Sequence, residues 1–203
     1  FLKGAAIFYV RVRYVYIASS TSNSITIVDI IDKTNPVVVG SLVDATNLNG
    51  ANGIGVVGDY AFIAATDNNS LTVIDVSDPT TPVYETHITH ASLGGASKVA
   101  VCECNRWAYV TGNTVNALEI VDISDPTSLT YEGSVTDGLY LDGAYNVVVS
   151  GNYAYVTALD EYAVATVNVT NRSNPSVVGY FTDAARLDGA YGLAIADSKL
   201  YVT

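Results

Sequence analysis

Two histidines and two cysteines are the side chains of this sequence best suited to metal binding or redox chemistry. His87 and His90 follow Glu85 at close spacing, so the three could bind a transition metal such as zinc. Two histidines without a clear further ligand make a weak site, and surface histidines are the simpler interpretation. Cys102 and Cys104 are separated by one residue, whereas a redox pair is usually separated by two. The sequence leaves two alternatives open for them, reduced thiols or a local disulfide bridge.

Acidic residues recur in one type of loop and could bind a hard cation. Asp142 and Asp188 lie in this loop, and Asp44, Asp137 and Asp183 lie a few residues upstream of it. Carboxylates that converge from several loops are oxygen ligands for calcium. Each Asp could instead cap its own turn by accepting bonds from backbone N–H groups. Because every copy repeats the same turn, we expect capping, with calcium at Asp142 and Asp188 as the alternative.

Tyrosines accompany these acidic loops, and fifteen are present in the chain. A tyrosine offers apolar area and a hydrogen-bonding tip, a combination that favours carbohydrate or protein contacts, although filling of the core is the alternative. The predicted ligand-binding set of the loops is Asp44, Asn49, Asp137, Tyr140, Asp142, Tyr145, Asp183, Asp188 and Tyr191.

The elements that carry these residues repeat with a period of about 46 residues. The central aromatic of a strand motif falls at Tyr16, Phe62, Tyr109, Tyr155 and Tyr201. An apolar strand ends at Asp29, Asp75, Asp122 and Asn168, and a loop of the type Leu-x-Gly-Ala occurs at 48–51, 93–96, 141–144 and 187–190, with a degenerate copy at 2–5. A period of this length indicates a repeat architecture.

Each period contains signals for four antiparallel strands and none for a helix. In the fourth copy we predict strands over 145–149, 153–158, 164–169 and 177–181, with a tight hairpin at Gly151 and Asn152. Four strands in about 46 residues are typical of a β-propeller blade. The sequence therefore predicts an all-β propeller, residues 1–203, with four full blades and a half blade. The approximate repeats are 2–47, 48–92, 93–140, 141–186 and the partial copy 187–203.

The positions of the strands within a blade follow from their composition. The first strand of each copy consists mainly of small and aliphatic residues, which indicates burial on both faces next to the propeller axis. The third strand is rich in Val and Ile and is expected in the middle of the sheet, where it fills the gap between blades. The acidic loop would then face the mouth of the central channel.

The strands at 25–29, 71–75 and 118–122, each followed by a turn with Ser, Asp and Pro, resemble the repeat named after the string LVIVD. The resemblance covers essentially the whole chain and implies a propeller scaffold of secreted or surface-anchored microbial proteins, with no shared catalytic residue. The chain departs from the pattern where Asn168 replaces Asp, where Leu129 replaces Pro, and where Val12 and Arg13 replace the Gly-Asp hairpin pair.

Composition limits the partners. The net charge of −11 argues against nucleic acid, whose phosphates attract Lys and Arg. No apolar run has the length of a membrane span, and no signal peptide is recognised, so secretion would depend on a segment outside this sequence. The surplus half blade predicts a segment of a longer propeller, or an open arc that closes against another copy.

Three functions compete on this sequence. We expect a non-enzymatic scaffold that binds protein or carbohydrate in an extracellular or cell-surface protein, without a cofactor unless calcium is bound. The second hypothesis is a structural subunit whose open blade edges pair with a second copy or with additional blades. The third is a metal-dependent propeller hydrolase or lyase. It is disfavoured because the channel-mouth positions Lys3, Asn49, Gly94, Asp142 and Asp188 include neither His nor Glu.

Overall fold

The computed structural model of the chain describes residues 5–11, 13–102, 104 and 106–203, with side chains from residue 13 onward. The predicted channel-mouth residue Lys3 and the hairpin residue Val12 lie outside the described residues. No helix of the described part of the chain is long and apolar enough to cross a membrane.

The structure consists of short antiparallel strands grouped in fours. The first blade contains β1 (Ala5–Arg11), β2 (Tyr14–Ser19), β3 (Ser24–Asp29) and β4 (Val37–Val43). The second contains β5 (Ala51–Val57), β6 (Tyr60–Ala65), β7 (Ser70–Asp75) and β8 (Val83–Thr89). The third contains β9 (Ala96–Val101), β10 (Trp107–Gly112), β11 (Ala117–Asp122) and β12 (Thr130–Thr136). The fourth contains β13 (Ala144–Ser150), β14 (Tyr153–Ala158), β15 (Ala163–Asn168) and β16 (Ser176–Thr182), and the half blade contains β17 (Leu193–Ala196) and β18 (Lys199–Val202).

The blades radiate from a common axis. Within each sheet the strands pair in chain order, and the first strands of successive sheets contact one another. The first strands therefore surround the axis and the fourth strands form the rim. This arrangement confirms the predicted propeller of four blades and a half blade.

The strand bounds predicted for the fourth copy are correct to within one residue. One local detail differs: of the hairpin pair, only Gly151 has a positive φ, at 58°, and Asn152 does not. Two short 3₁₀ turns, Ala91–Leu93 and Asn113–Val115, also interrupt the all-strand pattern.

The hydrophobic core lies between the blades. Ile25 and Ile27 of the first blade pack with Ile54 and Ile63 of the second in one buried cluster, and equivalent clusters join the second to the third blade and the third to the fourth. The third strands β7 and β11 are buried along nearly their whole length. As the Val- and Ile-rich composition of these strands predicted, they fill the gaps between sheets.

Two faces of the propeller can be distinguished. The upper face carries the loops between second and third strands and the interblade loops, which join a fourth strand to the next first strand. The lower face carries the hairpins between first and second strands and the turns between third and fourth strands. At the lower face, Asp29, Asp75 and Asp122 each accept a bond from the N–H two residues further on, at 2.8–2.9 Å. These strand-end carboxylates thus cap the turns that follow them.

A left-handed asparagine attaches each blade to the next at the upper face. Asn23, Asn69 and Asn116 have φ values of 50°, 52° and 55°. The side-chain oxygens of these residues accept bonds from the N–H groups of Gly50, Gly95 and Gly143, at 3.0, 2.7 and 3.1 Å. Each bond links the loop of one blade to the segment that enters the next first strand. We call this contact the asparagine clamp.

The clamp also fixes the other end of the interblade loop. The backbone carbonyl of Asn23 accepts the N–H of Asp44 at 2.9 Å, and that of Asn116 accepts the N–H of Asp137 at 3.0 Å. One residue therefore holds both ends of the loop. In the fourth blade Tyr162 takes this place with a φ of 51°, and its carbonyl still accepts the N–H of Asp183. Tyrosine has no amide oxygen for the second bond.

The clamp can be removed in one blade and added in another. We expect Asn116→Gly, which keeps the left-handed backbone without strain, to lower the free energy of unfolding by about 1–3 kcal/mol because the N–H of Gly143 loses its acceptor. Tyr162→Asn should raise it by about 0.5–1.5 kcal/mol by supplying an acceptor to Gly189. Urea unfolding followed by circular dichroism measures both. A destabilised Tyr162→Asn variant would contradict the proposed role of the side-chain bond.

Candidate functional site

The first strands contain β-bulges where they begin at the upper face. The pairing register shifts between Ala51 and Gly53 in the second blade, opposite Thr111 in the third, and between Ala144 and Val147 in the fourth. A bulge leaves residues outside the regular ladder and redirects their side chains. The residues released in this way are Asn52, Ser97, Lys98, Tyr145 and Asn146.

Threonine hydroxyls satisfy the backbone groups that these bulges leave unpaired. Thr111 accepts the N–H of Lys98 at 3.1 Å and donates to the carbonyl of Tyr145, in the next blade, at 2.7 Å. Thr157 accepts the N–H of Asn146 at 3.0 Å in the same manner. The bulge of the third blade is therefore hydrogen-bonded to the first strand of the fourth.

Lys98 lies at the centre of these bulges and spans three blades. Its ammonium donates to the side-chain oxygen of Asn52 at 2.6 Å and to the backbone carbonyl of Asn52 at 3.3 Å. On the other side, the ammonium lies 4.8 Å from the ring centroid of Tyr145. The residue is only 4% exposed. A cation over an aromatic ring is stabilised by the electrons of the ring face.

The charge of Lys98 has no carboxylate partner among the described residues. None of the ion pairs formed by the described residues includes it. Burial disfavours the charged form and lowers the pKa of Lys98 to about 8. The ammonium is thus partly deprotonated in mildly alkaline solution, and near neutral pH it is a buried positive charge that only neutral groups solvate.

An aromatic pair extends the site toward solvent. The rings of Tyr145 and Tyr191 meet edge to face with their centroids 5.0 Å apart, and Tyr191 is 55% exposed. The side-chain amide of Asn146 donates to the carbonyl of Tyr191 at 2.9 Å. We define Asn52, Lys98, Tyr145, Asn146 and Tyr191 as the mouth patch. It combines an exposed apolar ring with amide and ammonium groups.

Three of the predicted ligand-binding residues cap their own turns, as the repetition of the turn led us to expect. The carboxylate of Asp44 accepts the N–H groups of Thr46 and Asn47, both at 2.9 Å. Asp137 and Asp183 accept the corresponding pairs of N–H groups in their own loops. The amide of Asn47 lowers the pKa of Asp44, and the guanidinium of Arg186, which is paired with Asp183, lowers the pKa of Asp183.

The other predicted residues occupy several positions. Asn49 and Asp142 accept backbone N–H bonds through their main-chain carbonyls at 3.3 Å, and Asp188 is exposed. Tyr140 stacks on Tyr180 of the rim strand β16 with ring centroids 3.9 Å apart. Tyr145 and Tyr191 are therefore the members of the predicted set that the mouth patch includes.

No group of three or more His, Cys, Asp or Glu side chains in the described part of the chain is placed to hold a metal ion. Calcium at Asp142 and Asp188 stays a prediction. The two histidines have separate partners: His87 bonds to the hydroxyl of Tyr84 at 2.8 Å, and His90 contacts Glu119 of the third blade.

His90 replaces a capping aspartate. The interblade loop before the third blade is shorter than its neighbours, and His90 is the N-cap of the turn Ala91–Leu93. Its Nδ1 lies 2.7 Å from the hydroxyl of Ser92 and 3.0 Å from the carboxylate of Glu119, and Ser92 also donates to this carboxylate. Glu119 is fully buried, and burial raises its pKa. Within the described part of the chain, one of its carboxylate oxygens has no hydrogen-bond partner.

This cluster does not have the geometry of a hydrolytic triad. In such triads the serine and the acid bind opposite nitrogens of the imidazole ring. Here Ser92 and Glu119 both face Nδ1 of His90. The arrangement can hold the loop and keep a proton between His90, Ser92 and Glu119. The hydroxyl of Ser92 is not placed to transfer its proton to Nε2 of His90.

Sequence reasoning missed Lys98, Asn52 and Asn146. A signal was present, because the third position after the loop glycine holds Gly53, Lys98, Asn146 and Gly192 in successive copies. This position varies strongly in size and charge inside a repeat that is otherwise regular. The partners of Lys98 could not be read from it, since they lie on other blades.

A family model described as LVIVD repeat matches the chain four times, over residues 10–44, 50–88, 93–137 and 143–183. No curated relative matches the chain.

Several solved structures are similar to the fold. A protein from Bacteroides fragilis, described as a candidate 6-phosphogluconolactonase, matches with a TM-score of 0.78 and 14% identity over 98% of this chain and 62% of its own. The periplasmic gluconolactonase of Pseudomonas aeruginosa matches with a TM-score of 0.69 and 14% identity, over 84% of this chain and 54% of its own. Virginiamycin B lyase from Staphylococcus aureus matches with a TM-score of 0.69 and 12% identity, over 94% of this chain and 59% of its own. The chain spans little more than half of the length of such proteins.

The threonine contacts that hold the mouth patch can be tested by isosteric substitution. We expect Thr111→Val to lower the free energy of unfolding by about 2–4 kcal/mol, because it leaves both the N–H of Lys98 and the carbonyl of Tyr145 unsatisfied. Thr157→Val is the matched control, since it removes the acceptor of the Asn146 N–H alone and should lower the free energy of unfolding by about 1–2 kcal/mol. Urea unfolding measures both. Equal losses would contradict a link between the blades through Thr111.

The protonation of Lys98 gives a separate prediction. A ¹³C NMR titration of the Lys98 side chain should show a midpoint at about 8, compared with the usual value of 10.5. The folded chain loses this proton at a lower pH than the unfolded chain. The free energy of unfolding should therefore increase as the pH rises between these two values. Lys98→Met should lack that contribution. A midpoint above 10 in the folded protein would contradict the burial argument.

Proposed function

The chain belongs to the LVIVD repeat family, and we propose that it is a non-enzymatic binding module of a secreted or surface-associated protein. The mouth patch is the proposed ligand site. Its ligand is a carbohydrate or a protein segment, and the geometry favours carbohydrate as the first ligand to test.

One observation carries this proposal: the exposed ring of Tyr191 packs edge to face on Tyr145, whose ring covers the buried ammonium of Lys98, and the amide of Asn146 binds the backbone carbonyl of Tyr191. A tyrosine ring offers the apolar surface on which the C–H face of a sugar packs, and neighbouring amides bind its hydroxyl groups. The edge-to-face contact with Tyr145 restricts the motion of Tyr191. A ring ordered in this way loses little conformational entropy when a ligand binds.

Support for a non-enzymatic role comes from the side chains that could act in catalysis. His90 binds serine and glutamate through the same nitrogen. Lys98 is covered by Asn52 and Tyr145, which limits attack by its amine on a substrate. The similar structures include enzymes, but identities of 11–15% show a common fold alone.

Support for an extracellular location comes from the cysteines. Cys102 and Cys104 form a disulfide in this structure, and such bridges persist mainly in oxidising compartments. The resemblance to secreted and surface-anchored proteins points the same way.

A glycan array probed with the purified chain tests the proposal. We expect binding to a subset of glycans, and Tyr191→Ala should weaken that binding at least about tenfold because it removes the exposed ring, an effect on the scale of a binding hot spot. Isothermal titration with the best glycan measures the loss.

Tyr153→Ala is the matched control, because Tyr153 is also an exposed tyrosine but begins a strand at the lower face. Binding should be unchanged in this variant. No glycan bound by the native chain, or equal losses in the two variants, would count against a carbohydrate site at the mouth patch. Retained circular dichroism spectra would exclude unfolding as the cause.

A further inference from the structure

The lower face of the third blade carries a disulfide that no other copy has. Cys102 and Cys104 are joined across the turn between β9 and β10, with their Cα atoms 5.2 Å apart. The equivalent turns of the second and fourth blades use Gly58 and Gly151 without a bridge. The turn of the third blade is also longer, since five residues (102–106) separate β9 from β10 and only two separate the corresponding strands of the other two blades.

The disulfide contributes little to the stability of the propeller. It closes a loop of only three residues, and the entropic stabilisation by a disulfide falls as the closed loop becomes shorter. The hairpin is already closed beside it, since the N–H of Cys102 donates to the carbonyl of Trp107 at 2.8 Å. A bridge that joins no separate elements is a candidate for a chemical role.

A cavity of about 600 Å³ lies next to the disulfide, between the third and fourth blades. Both cysteines line it, together with Tyr109, Ser150 and Arg172. A small molecule that enters this cavity would reach the sulfur atoms. Cys104 is exposed and Cys102 is half-buried, so the first is the more accessible of the two.

Arg172 supplies a positive charge to the cavity. Its Nε donates to the hydroxyl of Tyr109 at 3.2 Å, and its guanidinium lies 5.1 Å from the ring centroid of Trp107. Its two terminal nitrogens have no hydrogen-bond or carboxylate partner among the described residues, whereas Arg106 on the same ring pairs with Asp122. Free guanidinium donors are suited to bind a carboxylate with two parallel bonds.

The two sulfur atoms are not equivalent. The backbone N–H of Cys104 donates to Sγ of Cys102 at 3.1 Å. A hydrogen bond of this kind stabilises negative charge on the sulfur that receives it. When the bridge is attacked, Cys102 is therefore the better leaving group and Cys104 the sulfur that is attacked.

From these contacts we propose that Cys102 and Cys104 form a redox site that exchanges with a small thiol carrying a carboxylate. Arg172 binds the carboxylate in the cavity. The thiolate attacks Sγ of Cys104, a mixed disulfide forms, and the bond to Cys102 breaks with both electrons going to Sγ of Cys102, which then takes a proton. A second thiolate attacks the sulfur of the bound thiol, releases the small-molecule disulfide and leaves Cys104 as a thiolate, which is protonated. Two small thiols are oxidised and one protein disulfide is reduced.

Two matched reagents test the recognition of the carboxylate. N-acetylcysteine and N-acetylcysteamine are both acylated thiols, and only the first has a carboxylate. At equal thiolate concentration and low salt, we expect N-acetylcysteine to reduce the native chain about tenfold faster, the effect of one charged hydrogen-bonded contact. The net charge of −11 alone would produce the opposite preference. Alkylation of the released thiols followed by mass spectrometry gives the rates.

Arg172→Gln should abolish the preference, and added salt should reduce it in the native chain. Arg13→Gln is the control, because Arg13 also lies at the lower face but belongs to the first blade, where it pairs with Asp29. Its preference should equal that of the native chain. The double variant Cys102→Ser with Cys104→Ser should keep nearly the native thermal midpoint.

Equal rates for the two reagents, a preference retained by Arg172→Gln, or reduction only under unfolding conditions would each overturn the proposal. A large fall in the midpoint of the double variant would also overturn it, since the bridge would then be structural. If Arg172→Gln does not fold, the salt dependence of the native chain decides, because a preference insensitive to salt cannot come from the guanidinium.

Discussion

The asparagine clamp is the contact on which the arrangement of the blades depends. Local hairpins set the strand pairing within a propeller blade, but its position relative to the next blade must be fixed by contacts between sheets. Asn116 provides such a contact with two bonds from one residue, through its side chain to Gly143 and through its backbone to Asp137. The left-handed conformation allows both bonds at once, and asparagine adopts that conformation at lower cost than most residues. The interblade loop, and with it the start of the next first strand, is placed by this residue.

In the third copy, several residues differ together from the repeat pattern, and the blade keeps its fold. In the second blade, Thr72 donates to the backbone carbonyl of Asn47 in the interblade loop at 2.8 Å. In the third blade the loop is shorter, and Glu119 stands where threonine would be and binds Ser92 and His90 instead. The buried carboxylate compensates for the aspartate that the shorter loop lacks. His90 and Glu119 are residue types that could be assigned to catalysis, but here their contacts stabilise the shortened interblade loop.

The two faces of the third and fourth blades carry different chemistry. At the upper face, the bulges direct Lys98 and Tyr145 toward each other, and neutral groups surround the ammonium. At the lower face, Arg172 of the fourth blade lies against Trp107 of the third, beside the disulfide. Both sites lie where neighbouring blades meet. Side chains from different sheets come together there, and the hydrogen bonds of the strand ladders leave these side chains free for other contacts.

The sequence by itself determined the period, the strand bounds of the fourth copy, the order of strands from axis to rim and the capping role of Asp44, because these depend on hydrogen bonds and burial patterns within one copy. Only the tertiary structure decided which side chains of different copies contact one another. Lys98 meets Asn52 across 46 positions, and Arg172 meets Tyr109 across 63. Such pairs depend on the rotation between neighbouring sheets, which the clamp and the interblade packing set together. The sequence pattern within a copy contains no measure of that rotation, so the lysine between the blades could not be predicted from it.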